Sequence, residues 1–151
     1  MKRLVFKKTV FLSLVCMFLT SQSNAHGEDK YGPHKGFVRM PGAFHTELVL
    51  NGKNKLKVYL LDIEWKNPTV EKSSLDVTYD NQTKGECKPQ KNYFSCEFPK
   101  SIDLRKKGEL KIVAIRNDQK GAVAVYALPL KLEVPPEVPP TDEQSGHGGH
   151  H

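Results

Sequence analysis

Six histidines are the residues of this 151-residue chain best suited to do chemistry, and they are not scattered. His26, His34 and His45 lie near the start, and His147, His150 and His151 fall within the last five residues. Neutral imidazole is the commonest metal ligand among side chains, so clusters at both ends point to metal binding. The densest local set is Gly32-Pro33-His34-Lys35-Gly36-Phe37-Val38-Arg39-Met40-Pro41-Gly42-Ala43-Phe44-His45-Thr46-Glu47. His45 and Glu47 are two apart in a segment that reads as a strand, so both side chains leave one face. The apolar set from Phe44 to Leu50 leaves the other. The pair is therefore expected on an exposed face, where replacing His45 removes a ligand without opening a core cavity. A tight turn at Met40-Pro41-Gly42-Ala43 would fold a short strand, 36–40, back beside the next and bring His34 towards His45. Met40 would add a soft thioether, which favours Cu(I) over harder ions. The plainer alternative makes His45 and Glu47 an exposed polar pair and Met40 a core side chain.

His26 is a separate candidate because of what precedes it. Residues 1–25 begin with Lys2, Arg3, Lys7 and Lys8, continue through an apolar run from Thr9 to Leu19, and end Ser23-Asn24-Ala25. That order is a cleavable signal peptide, with small residues at the −3 and −1 positions. The run is short of the ~20 apolar residues that span a bilayer, so no stable membrane span is expected after processing. A lipoprotein anchored at Cys16 is a weaker alternative, since Val15 is bulkier than such sites prefer. Cleavage after Ala25 would make His26 the first residue. Its free α-amine and imidazole can then chelate Cu(II) together, and exported proteins resembling the small copper-resistance β-sandwiches begin in this way. At the other end, His147-Gly148-Gly149-His150-His151 reads as a flexible arm able to bind several divalent ions with little selectivity.

The formal net charge of +6 is largely a targeting property, because four of the 23 basic residues and none of the 17 acids lie in residues 1–25. The remaining 19 basic and 17 acidic residues leave +2, with no clustered basic surface to argue for nucleic acid. Lys53, Lys55 and Lys57 read as the solvated face of a strand. Cys16 leaves with the leader, and Cys87 and Cys96 remain as an even pair in an oxidising compartment. Lys88 to Asn92 has turn chemistry and Tyr93 to Phe98 reads as a strand, so a hairpin would bring the two thiols together. A Cys87–Cys96 disulfide is predicted, worth ~2–3 kcal/mol in the loop-entropy account. A redox or metal–thiolate role is the rival, without the C-x-x-C spacing that would favour it.

The elements that must position these groups are short strands. Alternation appears at Phe44, Thr46, Leu48 and Leu50; at Leu56, Val58 and Leu60; at Leu75, Val77 and Tyr79; at Leu110, Ile112 and Ala114; and at Val123, Val125 and Ala127. Asn51-Gly52-Lys53-Asn54 separates the first two sets, and Asn117-Asp118-Gln119-Lys120-Gly121 the last two, as hairpin loops. No helical stripe of useful length appears. Seven or eight short strands in about 100 residues predict an all-β, antiparallel sandwich of immunoglobulin-like type, with a small barrel as alternative. The domain reading is a leader at 1–25, an N-terminal arm at 26–35, the sandwich at 36–131, and a Pro-rich, His-terminated tail at 132–151 that is expected to be disordered.

The stretch Gly32-Pro33-His34-Lys35-Gly36, followed by Phe44-His45-Thr46-Glu47 and a strand, resembles a small periplasmic module found alone or at the start of heavy-metal efflux adaptor proteins. The resemblance covers residues 32–61, and Lys35 stands where that family usually has glycine. It implies metal handling in the periplasm, with His34 and His45 at the matching positions. The chain is too short for the hairpin and lipoyl-like domains of a full adaptor. No nucleophile elbow, P-loop or dinucleotide fingerprint is present, and no enzyme is expected. The function expected is a periplasmic metal-binding protein, for copper or, alternatively, zinc or another divalent ion, that buffers the ion or delivers it to an efflux complex. An immunoglobulin-like accessory or interaction module of the envelope is the rival.

Overall fold

The computed structural model describes residues 26–132, and of His26 only the backbone. Residues 1–25, which carry the expected signal peptide, and residues 133–151, with His147, His150 and His151, lie outside the described residues.

Short alternating segments with turn punctuation do form strands. They are β1 (His26–Gly27), β2 (Phe37–Met40), β3 (His45–Leu50), β4 (Lys55–Leu61), β5 (Ser74–Tyr79) and β6 (Thr83–Lys84). The series continues with β7 (Glu86–Pro89), β8 (Phe94–Glu97), β9 (Gly108–Arg116), β10 (Gln119–Lys120) and β11 (Ala124–Leu128). One sheet has the order β1-β2-β3-β4-β8-β7; the other runs β10-β9-β5-β6, with β11 also paired to β9. All pairings are antiparallel. The inner order β3-β4-β8-β7 against β5-β9-β11 is that of a constant-type immunoglobulin sandwich, with β1 and β2 added at one edge. Among the described residues, no helix is long and apolar enough to cross a membrane.

The core lies between the sheets and is built from the alternating sets. Phe44, Leu48, Leu56, Val58 and Leu60 face Val77, Leu110, Ile112 and Ala114. Two buried polar groups tie the layers together. The Tyr126 hydroxyl donates to the Thr46 carbonyl oxygen (2.8 Å) and sits 2.8 Å from Thr46 Oγ1. Arg39 Nε donates to the Val125 carbonyl oxygen (3.0 Å), with its guanidinium over the Tyr126 ring.

Two expectations need correction. The inward set of β11 is Ala124, Tyr126 and Leu128, not Val123, Val125 and Ala127; Val123 is exposed. Residues 122–128 are all apolar, so nothing in the sequence fixes the phase, and the cross-sheet tyrosine contact decides it. The N-terminal segment is not a free arm: His26 and Gly27 pair with Met40 and Arg39, covering the outer edge of β2. Among the described residues eleven strand segments form, eight of them four residues or longer, so the expected seven or eight omits only the two-residue pieces. Cys87 and Cys96 face each other across β7 and β8 and are joined as a disulfide, which removes both thiols as metal ligands.

Candidate metal site

The turn at Pro41–Phe44 folds β2 onto β3 as the spacing requires, pairing Val38 with Glu47 and Arg39 with Thr46. One step further along this register stand Met40 and His45. β4 then sets Tyr59 beside Glu47 and Leu61 beside His45. The outer face of this sheet therefore carries two neighbouring rows: Val38, Glu47 and Tyr59 in one, and Met40, His45 and Leu61 in the other.

That face is not open to solvent. His45 is 4% exposed and Glu47 0%, which corrects the expectation of an exposed polar pair. Two loops cover them. Residues 28–36 fold over the Glu47 row, and residues 62–66 over the His45 row. Met40 is 40% exposed, so it is not a core side chain.

Glu47 organises the first loop. Its Oε1 accepts hydrogen bonds from the backbone N–H groups of His34 and Gly36, both at 2.8 Å, and its Oε2 lies 2.7 Å from His34 Nδ1. The His34 ring lies flat on Tyr59, with centroids 3.7 Å apart and planes 4° apart. Burial, then the nearby Tyr93 and the Glu47 carboxylate, push the Tyr59 phenol above its ordinary range, so it stays neutral beneath the imidazole. The motif glycines provide space for this arrangement. A Cβ on Gly32 would fall 2.4 Å from Glu47 Cδ, and one on Gly36 would fall 2.7 Å from Glu47 Cγ. Between them Lys35 takes a left-handed backbone, φ +60°, a conformation that glycine adopts without cost.

The second loop orients His45. The Asp62 carboxylate accepts from the N–H groups of Glu64 (2.9 Å) and Lys66 (2.8 Å), closing a turn in which Trp65 has φ +65°. The Asp62 carbonyl is thereby presented to His45 Nδ1, which donates to it at 3.0 Å. Trp65 covers the imidazole, centroids 5.2 Å apart, and Lys30 Nζ sits 4.7 Å above the indole. His45 Nε2 makes no hydrogen bond among the described residues; the nearest acid oxygen is Glu28 Oε1, at 3.8 Å.

The structure thus places His34 with Glu47 and His45 with Glu28, as pairs on adjacent rows. Among the described residues, no three His, Cys, Asp or Glu side chains converge as a ligand set. Glu47 has both oxygens committed to the His34 loop. Glu28, Tyr59, Asp62 and Trp65 were not foreseen. Glu28 alone left a sequence signal, standing two residues after His26 and therefore on its face once that segment is extended.

No protein-family model matches the chain, nor does any curated protein or solved structure.

Proposed function

We propose that this chain is an exported metal-binding β-sandwich that holds copper, or zinc or another divalent ion in its place, in the periplasm. It would buffer the ion or pass it to a heavy-metal efflux complex. The observation that carries this reading is the state of the His45 ring. Its Nδ1–H is engaged by a backbone carbonyl, which fixes the tautomer and leaves Nε2 as the electron-pair donor, beside a carboxylate. Such outer support is the usual partner of a metal-bound histidine. Two ligands ~2.1 Å from one tetrahedral ion are ~3.4 Å apart; His45 Nε2 and Glu28 Oε1, 3.8 Å apart, come within reach of one ion by a small movement of the half-buried Glu28 side chain. His34 has the same kind of support, through Glu47. The disulfide suits an oxidising compartment, and the resemblance to efflux-adaptor segments supports the same setting.

The test is metal-dependent stabilisation in the full mature chain carrying His147→Ala, His150→Ala and His151→Ala. An ion bound only by the native state raises the melting temperature. The rise is expected in this parent, and its loss in His45→Asn, whose amide can still donate to Asp62 but which lacks Nε2. A parent indifferent to Cu(I), Cu(II) and Zn(II) would leave the accessory-module reading as the better one.

A further inference from the structure

A second feature, independent of the metal-binding reading, lies at the end of β9. Its buried positions are Leu110, Ile112 and Ala114, and Arg116 falls next in the same alternation. The strand thus carries a guanidinium on its inward row, where it leaves the core. The other arginines of the described residues have partners there. Arg105 forks onto the Asp103 carboxylate, and Arg39 donates to the carbonyl oxygens of Val125 and Val38. Arg116 Nε is buried and meets no acceptor among the described residues. Buried N–H groups are nearly always satisfied, so this donor calls for an acceptor from outside.

The space beside it is a cleft of about 340 Å³, lined by Arg116, Asn117 and residues 68–69 and 71–73 of the connection between β4 and β5. Hydrogen bonds fix its two walls against each other. Arg116 pairs with Gln119 across a turn in which Asn117 and Asp118 take left-handed backbones, φ +47° and +64°. The Asn117 N–H donates to Ser73 Oγ (3.3 Å), and the Asp118 N–H to the Lys72 carbonyl oxygen (3.1 Å). Ser73 Oγ in turn donates to the Glu71 carbonyl oxygen (3.1 Å). The cleft is therefore formed before any ligand arrives.

We infer that this cleft binds the carboxylate group of a small molecule, with Arg116 as its anchor. The guanidinium offers Nε–H and an Nη–H as a fork that matches the two oxygens of a carboxylate. Lys72 lines the same cleft and adds a second cation, and Thr69 adds a hydroxyl. Glu71 also lines it, so two positive charges and one negative leave +1. One carboxylate neutralises that charge, whereas a phosphate dianion exceeds it. The volume, at the small end of ligand clefts, leaves room for a body of several atoms beyond the carboxylate.

The buried Nε–H is itself the reporter. Isotope-labelled, metal-free protein is titrated with benzoate and separately with inorganic phosphate, each against chloride at equal ionic strength. Benzoate is expected to move the Arg116 Nε–H resonance saturably, phosphate to bind more weakly, and chloride to leave the resonance in place. The Asn117 amide reports binding in the variants. Arg116→Lys keeps the charge and loses the fork, so benzoate should bind ~10-fold more weakly. Arg116→Met should abolish binding while leaving the melting temperature no lower, since no partner is stranded. Glu71→Gln removes a like charge and should tighten binding roughly threefold. His45→Asn should change none of this. A resonance that does not move, or that moves equally with chloride, would overturn the inference, as would binding that survives Arg116→Met. Tighter binding of phosphate than of benzoate would overturn the assignment to a carboxylate.

Discussion

Glu47 is a wholly buried carboxylate whose oxygens accept two backbone N–H groups and face an imidazole nitrogen. Removing one member of a buried charged network strands the others, so Glu47→Ala is expected to cost about 3 kcal/mol in a urea unfolding measurement, and Glu47→Gln, which keeps one acceptor oxygen, less. A loss below ~0.5 kcal/mol, the range of ordinary surface changes, would contradict the assigned role. His45 behaves similarly. Because it is buried and bonded to Asp62, His45→Ala should destabilise the metal-free protein by about 2 kcal/mol, whereas an exposed residue would have cost almost nothing. Both residue types and their shared face were legible from the two-residue spacing. Their burial was not, since it depends on two loops whose paths no local periodicity encodes.

At the scale of elements, the loop over residues 28–36 is shaped by what lies beneath it. Gly32 and Gly36 are read from the sequence only as motif positions; the packing shows that each leaves room for the Glu47 side chain. Gly32→Ala should therefore loosen the loop, lowering stability by roughly 2 kcal/mol and exposing His34 to solvent, which hydrogen exchange of the His34 amide would register. Lys35 is the opposite case. A left-handed backbone costs a non-glycine residue ~1–2 kcal/mol, and glycine recovers this less ~0.5–1 kcal/mol of added chain entropy. Lys35→Gly is expected to raise stability by about 0.5 kcal/mol in the same unfolding assay; a decrease would mean that the lysine makes a contact worth more than its strain. The strand β11 marks a limit of a different kind: in an unbroken apolar run, either alternation buries a plausible set, and only the Tyr126 hydroxyl reaching Thr46 separates them.

Across the whole molecule, alternation and turn signals were enough to read an antiparallel sandwich, because β3, β4, β5 and β9 each place an alternating, mainly apolar face on the core. The addition of β1 to the sheet edge was not readable, since two residues carry no period. It is nonetheless what brings residues 26 and 27 to the edge of the sheet beside Met40 and Arg39. The disulfide lies between β7 and β8, at the sheet edge opposite β1. Its reduction should lower stability by ~2–3 kcal/mol while leaving metal affinity unchanged, as expected for a crosslink that restricts the unfolded chain. Coupled losses of stability and affinity would place the thiols closer to the metal chemistry than this arrangement allows. We propose that the sandwich itself, not the His-rich tail, holds the ion. Trp65 is the chain's single tryptophan and packs on His45, so it reports on that site directly. The most direct measurement is a Cu(II) titration of the mature chain carrying His147→Ala, His150→Ala and His151→Ala, following Trp65 fluorescence. Saturable quenching that ends at about one ion per chain and is lost in His45→Asn is expected; fluorescence that does not change, or that changes equally in His45→Asn, would contradict a site in the sandwich.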